Sequence, residues 1–486
     1  MRIAFFQFAS SSLHFATSLE ILRNAGLSQN EVHYCLWGSR TKYPGRMSVF
    51  LESLSGKPPR HFENLVRLAN ASALLENKMQ FDEAWVLAMT RPLMDEINSF
   101  SNLSQLRGLA VSEIQPGPAL ANEITTLTKN RDLNLSLNKK LIKVLIQSYL
   151  EVYSATTLFI ENHGIEQIHV FNGRFLHERA VWDAARSKNI DVVLFETSRS
   201  RYFQRREGFH NRTNNQMVML EHWNSSTENR SDRLEVGAKY YSELRSRFNP
   251  FQADNSDKIR LTKPYFVYFS SSDDEAVGFW EEWSESLGEQ ITCVTKLQEI
   301  FDSQDKFELI IRLHPNLVNK SDEQKTGWML IKNTRSTKVI SAEDKVSSYD
   351  LLDNSVGSIT FGSTLGLESA FALKPSLLIA DSGYDLMGVV DKAKNWEQVT
   401  EWIFGGYQIA ESELLNRKDN ACIRGYFLAT GGKDFEYTQL SEKSWGAWDA
   451  LSFSGIKVAT SKILVNYRKM ISKIKFYKVI KLINNG

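Results

Sequence analysis

Two short stretches decide how this chain is read: Ile311-Arg312-Leu313-His314-Pro315-Asn316 and, further on, Phe361-Gly362-Ser363-Thr364-Leu365-Gly366-Leu367-Glu368-Ser369. Each follows an apolar run (307–313 and 356–361) with the length and β-branched content of a buried parallel strand. In open α/β sheets ligands bind beyond the C-terminal ends of the strands. The residues after each run therefore belong to a binding edge, and their chemistry reads as anion capture. Ser363 and Thr364 stand where a helix over 365–373 begins, so two hydroxyls and the amides of a helix start converge on a phosphate. His314, stiffened by Pro315, donates to a second phosphate oxygen. Glu368, one turn into the helix, comes within reach of ribose hydroxyls. There is no Walker-type lysine, so this is not a P-loop. Gly-Ser-Thr alone is a common N-cap and His-Pro alone says little. At two strand ends, followed by the apolar strand of Lys374-Pro375-Ser376-Leu377-Leu378-Ile379, they favour a nucleotide site.

The chain has 486 residues, too many for one core and suited to two domains of roughly 200–250 residues. Its net charge of +1 argues against a general nucleic-acid binder. The 11 tryptophans suit sugar-stacking surfaces as well as large cores. Cys35, Cys293 and Cys422 lie far apart without metal spacing and read as buried thiols of a reducing compartment. No apolar run is long enough to span a membrane, and 2–8 reads as a first strand rather than a signal peptide. The expected location is cytoplasmic.

The first half opens β-turn-α-β, with strands at 2–8 and 31–37 around a helix at 14–24, as doubly wound domains begin. His14 lies near the serine-rich turn after the first strand, as a substrate contact or as packing. Further expectations are a strand at 81–89, a helix at 92–106, a loop at 114–128 and a long amphipathic helix at 133–162. The informative unit follows: a strand at 166–171 ending in Asn172-Gly173-Arg174, a helix at 175–188, then a strand at 190–195 ending in Glu196-Thr197-Ser198-Arg199-Ser200. This places Asn172, Arg174 and Glu196 at neighbouring strand ends, where Arg174 and Arg179 suit an anionic sugar or pyrophosphate. Glu196 suits a base near an acceptor hydroxyl, or a plain ion pair with an arginine. A polar loop over 202–222, with His210 as a weaker base candidate, and a helix at 233–247 come next.

Residues 249–263 have linker composition, which divides the chain into 1–250, 263–440 and a C-terminal part, 441–486. The second domain opens with a strand at 264–269, and Ser271 in the serine run behind it approaches the donor. Asp273-Asp274-Glu275 reads as the polar start of a helix rather than a metal site. Helices are expected at 396–404, 421–427 and 435–451. Residues 451–486 carry eight Lys or Arg and no acid, with Ile463, Tyr467, Met470, Ile471, Ile474 and Tyr477 at helical spacing. Such a helix lies on an anionic membrane face, or packs on the first domain with its lysines in solvent.

The pattern Arg-x-His-Pro, Tyr349-Asp350-Leu351-Leu352, Gly-Ser-Thr-x-Gly-x-Glu and Lys-Pro before an apolar strand resembles the C-terminal half of bacterial capsule and surface-polysaccharide glycosyltransferases. These include the capsule Kdo transferases and, more distantly, bacterial sialyltransferases. The resemblance covers 264–379 clearly and the first half in outline. It implies a GT-B fold, two Rossmann-like doubly wound α/β domains facing a central crevice. It also implies that His314, Pro315, Ser363 and Thr364 hold the cytidine monophosphate of a CMP-sugar. The Glu196 run sits where the Kdo transferases place Glu-Asp-Gly-Phe-Leu-Arg-Ser, and departs from it at Thr197, where the family has Asp.

The expected activity is glycosyl transfer in surface-polysaccharide synthesis, inverting and metal-independent as the resemblance implies. The sugar is Kdo or another ulosonic acid, and the acceptor a saccharide or lipid-linked oligosaccharide at the inner face of the plasma membrane. Glu196 and His314 are the catalytic candidates. His314, Pro315, Ser363, Thr364, Glu368 and Ser271 bind the donor, and Asn172, Arg174 and His14 the acceptor. No cofactor or metal is expected, only the nucleotide sugar as co-substrate. Three alternatives stay open: a CDP-glycerol-type glycerophosphotransferase, a GT-B epimerase of UDP-sugars, and a non-catalytic assembly scaffold.

Overall fold

The computed structural model describes residues 1–8, 12–24, 30–36, 60–76, 79–112, 114–128, 133–198, 201–206, 208, 212–248, 263–272, 287–320, 322–440 and 451–457. The linker-like 249–262, the Asp273-Asp274-Glu275 cluster, His210 and the basic tail from 458 onward lie outside them. The chain forms two compact α/β units. One comprises Met1–Thr128, Asp132–Phe209 and Gly432–Gly486, the other Lys129–Arg131 and His210–Gly431.

In the first unit, β1 (Arg2–Gln7) is central. Parallel to it on one side run β2 (Glu31–Leu36) and β3 (Leu74–Glu76), and on the other β4 (Gln167–Phe171) and β5 (Asp191–Ser198). β6 (Arg201–Arg205), antiparallel to β5, and β13 (Lys433–Asp434), antiparallel to β6, complete the order β13-β6-β5-β4-β1-β2-β3. The apolar runs of β1, β2 and β4 are buried on both faces, as parallel strands sandwiched by helices must be. Ile3, Phe5, Phe15, Leu19, Tyr34, Phe171 and Phe195 build one side of that core.

The second unit holds a fully parallel sheet: β7 (Tyr265–Phe269), β8 (Glu308–Arg312), β9 (Thr337–Ile340), β10 (Gly357–Thr360), β11 (Ser376–Leu378) and β12 (Asp391–Lys392). Their order is β12-β11-β10-β7-β8-β9. Counted from its own first strand, each sheet runs 3-2-1-4-5-6, the dinucleotide-binding order. The doubly wound α/β fold expected from the two organising stretches is the fold observed.

Several element readings are corrected. Residues 81–89 are not a strand: a helix spans Glu83–Ile97, with Asp82 accepting the Trp85 amide at 2.9 Å. Its buried Val86, Thr90, Leu93 and Ile97 recur at helical spacing, which outweighs the local apolar run. The helix expected over 92–106 is the end of this one plus a separate short helix, Leu103–Arg107, closed by an Asn102–Gln105 capping box. The loop expected at 114–128 is instead the buried helix Gly117–Thr128. Its Pro116-Gly117-Pro118 start resembles a turn, but proline suits a first helical turn, and a Cβ at Gly117 would lie 2.4 Å from the Arg107 carbonyl.

The polar loop expected over 202–222 is β6 plus a helix, Arg212–Ser225. Within 435–451, expected to be helical, lie β14 (Thr438–Leu440) and the first residue of β15 (Leu451–Phe453). The cause is the buried Glu20 carboxylate of helix Ser12–Asn24. It accepts the amides of Glu436 (2.5 Å) and Tyr437 (2.9 Å) and the Thr438 hydroxyl (2.8 Å), holding this segment extended. No helix among the described residues is long and apolar enough to cross a membrane.

Helices Arg212–Ser225 and Arg230–Phe248 precede the linker-like segment yet pack within the second unit, against helix Glu411–Thr430. Two glycines permit the contact. A Cβ at Gly237 would lie 2.2 Å from the Cys422 carbonyl, and one at Gly425 would lie 2.5 Å from the Gly237 carbonyl. Both obstacles are backbone, so neither can yield cheaply. Gly237→Ala should therefore lower unfolding free energy in urea titration by at least about 1–3 kcal/mol. Gly405→Ala, whose Cβ meets open space, should stay within about 0.5 kcal/mol of wild type. Equal effects of the two substitutions would refute the close-packing account.

Candidate functional site

The second unit reverses strand order between β7 and β10, the position at which such sheets bind ligands. Ser270 to Ser272 follow β7 there, and Phe361 to Thr364 follow β10, with His314 just beyond neighbouring β8. Ser270 Oγ accepts the His314 amide at 2.7 Å, tying the His-Pro turn to the serine run. Pro315 opens the short 3-10 helix Pro315–Asn319, whose Asn316 amide donates to His314 Nδ1 at 3.2 Å. An imidazole accepting at Nδ1 carries its proton on Nε2, so half-buried His314 presents an N–H donor as its second ring nitrogen.

The serine run is braced from below. Gln290, itself buried, accepts the Ser271 amide at 2.7 Å and donates to the Ser271 carbonyl at 3.3 Å, while the Tyr268 hydroxyl donates to the same amide oxygen. Lys320 Nζ donates to Ser272 Oγ at 2.9 Å, bringing a positive charge to this edge. Across the switch point, Gly362 has φ +105°, a backbone state that suits glycine. The Tyr384 hydroxyl donates to the Ser363 carbonyl at 2.5 Å. A Cβ at Gly366 would stand 2.5 Å from that hydroxyl, so the small residue in Gly-Ser-Thr-x-Gly makes room for the brace.

Helix Leu365–Phe371 is only seven residues long. Its early amides are internally committed, Gly366 to the Ser363 carbonyl and Glu368 to the Thr364 carbonyl, each at 3.0 Å. The turn's candidate donors are thus the Ser363 hydroxyl and the own amides of half-buried Ser363 and exposed Thr364, the Thr364 hydroxyl being bonded to Glu368. Glu368 is buried and accepts the Tyr349 hydroxyl at 2.6 Å. Burial raises its carboxyl pKa, and the Tyr349 hydrogen bond opposes the rise. Its carboxylate takes hydrogen bonds from the Tyr349 and Thr364 hydroxyls, which makes it a support of this helix in the described structure.

In the first unit, the sequence candidates Asn172, Arg174, Glu196 and His14 do come together at the C-terminal edge. Asn172 and Gly173 both take positive φ, +53° and +74°, which turns the chain sharply out of β4. A Cβ at Gly173 would press on the Trp182 ring at 2.9 Å. The Asn172 amide donates to Glu196 Oε2, and the Thr197 amide donates to Oε1 at 2.9 Å. Glu196 lies inside β5, opposite Phe203 of β6, rather than in a loop beyond the strand. Burial raises its carboxyl pKa; the Thr197 and Asn172 hydrogen bonds and the Arg174 charge pull the other way.

His14 stacks on Phe171 with ring centroids 3.7 Å apart. Burial first, and the Arg174 charge second, lower its pKa to about 3, so it is neutral at pH 7. Arg174 packs over the Phe175 ring at 4.8 Å. Arg179 points elsewhere: it is buried and bound to Asp183 at 2.9 Å, which also accepts the Tyr149 hydroxyl at 2.5 Å. Glu178, beside it, was not anticipated. Burial pushes its carboxyl up to about 8, its own backbone opposing, Glu123 adding and Arg174 subtracting. Gln290, Tyr384 and Glu178 were all missed, because support from a distant position leaves no local pattern.

No protein-family model matches this chain, and no curated protein does. Solved structures do. The β-Kdo 2,4-transferase of KpsC from Thermosulfurimonas dismutans is similar at 14% identity over 53% of this chain and 79% of that one, with a TM-score of 0.37. The UDP-GlcNAc 2-epimerase of Neisseria meningitidis, bound to UDP-GlcNAc, is similar at 12% identity over 87% and 94%, with a TM-score of 0.30. The calicheamicin glycosyltransferase CalG4 is similar at 10% identity over 89% and 95%, with a TM-score of 0.28.

His14 supplies a stability test. Its folded pKa lies below the unfolded value of 6.5, so the unfolded chain binds the proton first. The stability it contributes is complete above pH 6.5 and is lost as pH falls toward its folded pKa. Its share of the slope approaches about 1.4 kcal/mol per pH unit. Urea titrations from pH 7 to 4.5 should show His14→Phe flattening the pH dependence by about that slope. An unchanged slope would mean that His14 is not held neutral by the fold.

Proposed function

We propose that the protein is a GT-B glycosyltransferase of bacterial surface-polysaccharide synthesis that takes its sugar from a CMP-linked ulosonic acid such as Kdo. The observation that carries this is the His314 imidazole, held at Nδ1 by Asn316 and so an N–H donor at Nε2, beside the strand-order reversal that also presents Ser271, Ser363 and Thr364. Within that set His314, Ser363 and Thr364 belong to the motif that resembles the capsule Kdo transferases, and the whole has the chemistry of a nucleotide monophosphate cradle. In the proposal these donors stabilise the charge that grows on the departing phosphate, a contribution larger in the transition state than in the ground state. Glu196 takes the proton of the acceptor hydroxyl as that oxygen attacks the anomeric carbon, with metal-independent inversion. Asn172 fixes the carboxylate, and Arg174 favours its ionised form and an anionic acceptor. The acceptor is a saccharide or lipid-linked oligosaccharide, reached at the inner membrane face through the basic C-terminal segment.

A thermal-shift panel of CMP, CDP, UDP, GDP and dTDP on wild type and Ser363→Ala is the first test. CMP should stabilise wild type selectively, by about 2.7 kcal/mol at a hundredfold excess over Kd. Ser363→Ala should weaken CMP binding by about tenfold, the worth of one hydrogen bond to an anion. Preference for UDP or dTDP would keep a nucleotide-sugar enzyme and discard the donor; no response to any nucleotide would favour a scaffold.

The catalytic half of the proposal is read by turnover, with mass spectrometry separating a transferred sugar from glycerol phosphate. Glu196→Gln should cut kcat by about 10²–10⁴ while leaving the CMP shift intact. Asn172→Ala removes a bond that lowers the Glu196 pKa, so the acidic limb of its pH–rate profile should move to higher pH. Unchanged turnover in Glu196→Gln would remove this residue from the mechanism.

A further inference from the structure

On the β2–β3 side of the first sheet, two histidines and a carboxylate converge that no part of the proposed transfer uses. His33 lies on β2, Glu76 ends β3, and His163 ends helix Lys139–His163 where the chain turns at Gly164 into β4. One ligand atom from each, two ring nitrogens and a carboxylate oxygen, lies within 4.8 Å of both others. The two imidazoles meet edge to face with centroids 4.8 Å apart. His33 is almost wholly buried, and Glu76 and His163 are half-buried. His33 Nδ1 is the nitrogen on the Glu76 side, 3.3 Å from Oε1. Its other nitrogen, Nε2, lies 3.1 Å from the Glu31 carboxylate. That arrangement, one ring nitrogen turned to the cluster and the other held by an outer carboxylate, is how proteins orient a metal-binding histidine.

We propose that His33, Glu76 and His163 form a site for a divalent transition-metal ion of the zinc type. Two imidazoles and one carboxylate are a recurring zinc set and leave a fourth position for water. The set is too rich in nitrogen for magnesium or calcium, which take oxygen ligands. Glu31 holds the His33 ring from outside. The ligands come from three separate stretches of sequence, so the ion would staple β2, β3 and the end of the long helix at the edge away from Asn172 and Glu196. In this proposal the ion links these elements and takes no part in the transfer.

The test uses full-length protein stripped with chelator, dialysed and titrated with Zn2+ alone by calorimetry, alongside thermal melts with Zn2+ or Mg2+. One equivalent of Zn2+ should bind and raise the melting temperature, with no rise from Mg2+. His163→Ala and Glu76→Gln, both at half-buried positions, should lose the equivalent and the rise. Glu31→Gln should keep the equivalent at roughly 10–100-fold weaker affinity. Co2+ in place of Zn2+ should give the visible absorption of a four-coordinate site in wild type and not in His163→Ala. Absence of a bound equivalent, or binding that survives unchanged in His163→Ala and Glu76→Gln, would overturn the proposal.

Discussion

Everything distinctive in this protein depends on where each sheet begins. In both units the first strand lies inside the sheet, and the chain leaves it first to one side and then to the other. A right-handed crossover between parallel strands fixes which face each helix covers, so a change of direction forces consecutive connections to opposite faces. The strand ends flanking that reversal are left without a helix over them. Ser270–Ser272 and Phe361–Thr364 occupy that position in the second unit, and Asn172–Arg174 occupies it in the first. These polar residues stand at an edge that the topology leaves without a covering helix.

A gap of that kind would be useless if its lining were loose, and the second unit meets the need with buried polar side chains rather than with more secondary structure. Gln290 satisfies both main-chain groups of Ser271, and Tyr384 pins the Ser363 carbonyl. Tyr384 sits in a loop anchored by Asp385, which is bound to Arg212, Gln216 and Lys392. Each bond is worth about 1 kcal/mol net, but leaving such a buried group unmade costs more. The turns are therefore held in one geometry before any ligand arrives, which lowers the entropy that binding must overcome.

The legible part of the fold was the part written in local periodicity. The β7, β8 and β10 strands, the His-Pro and Gly-Ser-Thr turns behind them, and the Asn-Gly-Arg turn behind β4 are each set by neighbours in sequence. What misled was composition read without tertiary context. Pro116-Gly117-Pro118 looks like a turn, but its glycine answers to the Arg107 carbonyl. Residues 436–438 suit a helix, but their amides and hydroxyl go to Glu20, a residue more than four hundred positions earlier. Glu368 shows the same limit within a site. Its spacing from Ser363 is visible in sequence, whereas its bond to Tyr349 depends on the packing of a different helix.

The same separation between local pattern and environment governs charge at the edge of the first unit. By composition this cluster holds two acids, Glu178 and Glu196, one arginine, Arg174, and one histidine, His14, a near balance of formal charge. Burial alters that sum. It lifts Glu178 to about 8, drives His14 down to about 3 and raises Glu196, each shift favouring the neutral form. The guanidinium of Arg174 supplies a positive charge, as arginine does across the physiological range. Its field opposes the rise of both carboxyls and assists the fall of the imidazole. At neutral pH this edge is thus more positive than its composition. It also leaves Glu196 as a carboxyl whose ionisation depends on Asn172, Thr197 and Arg174 staying in place.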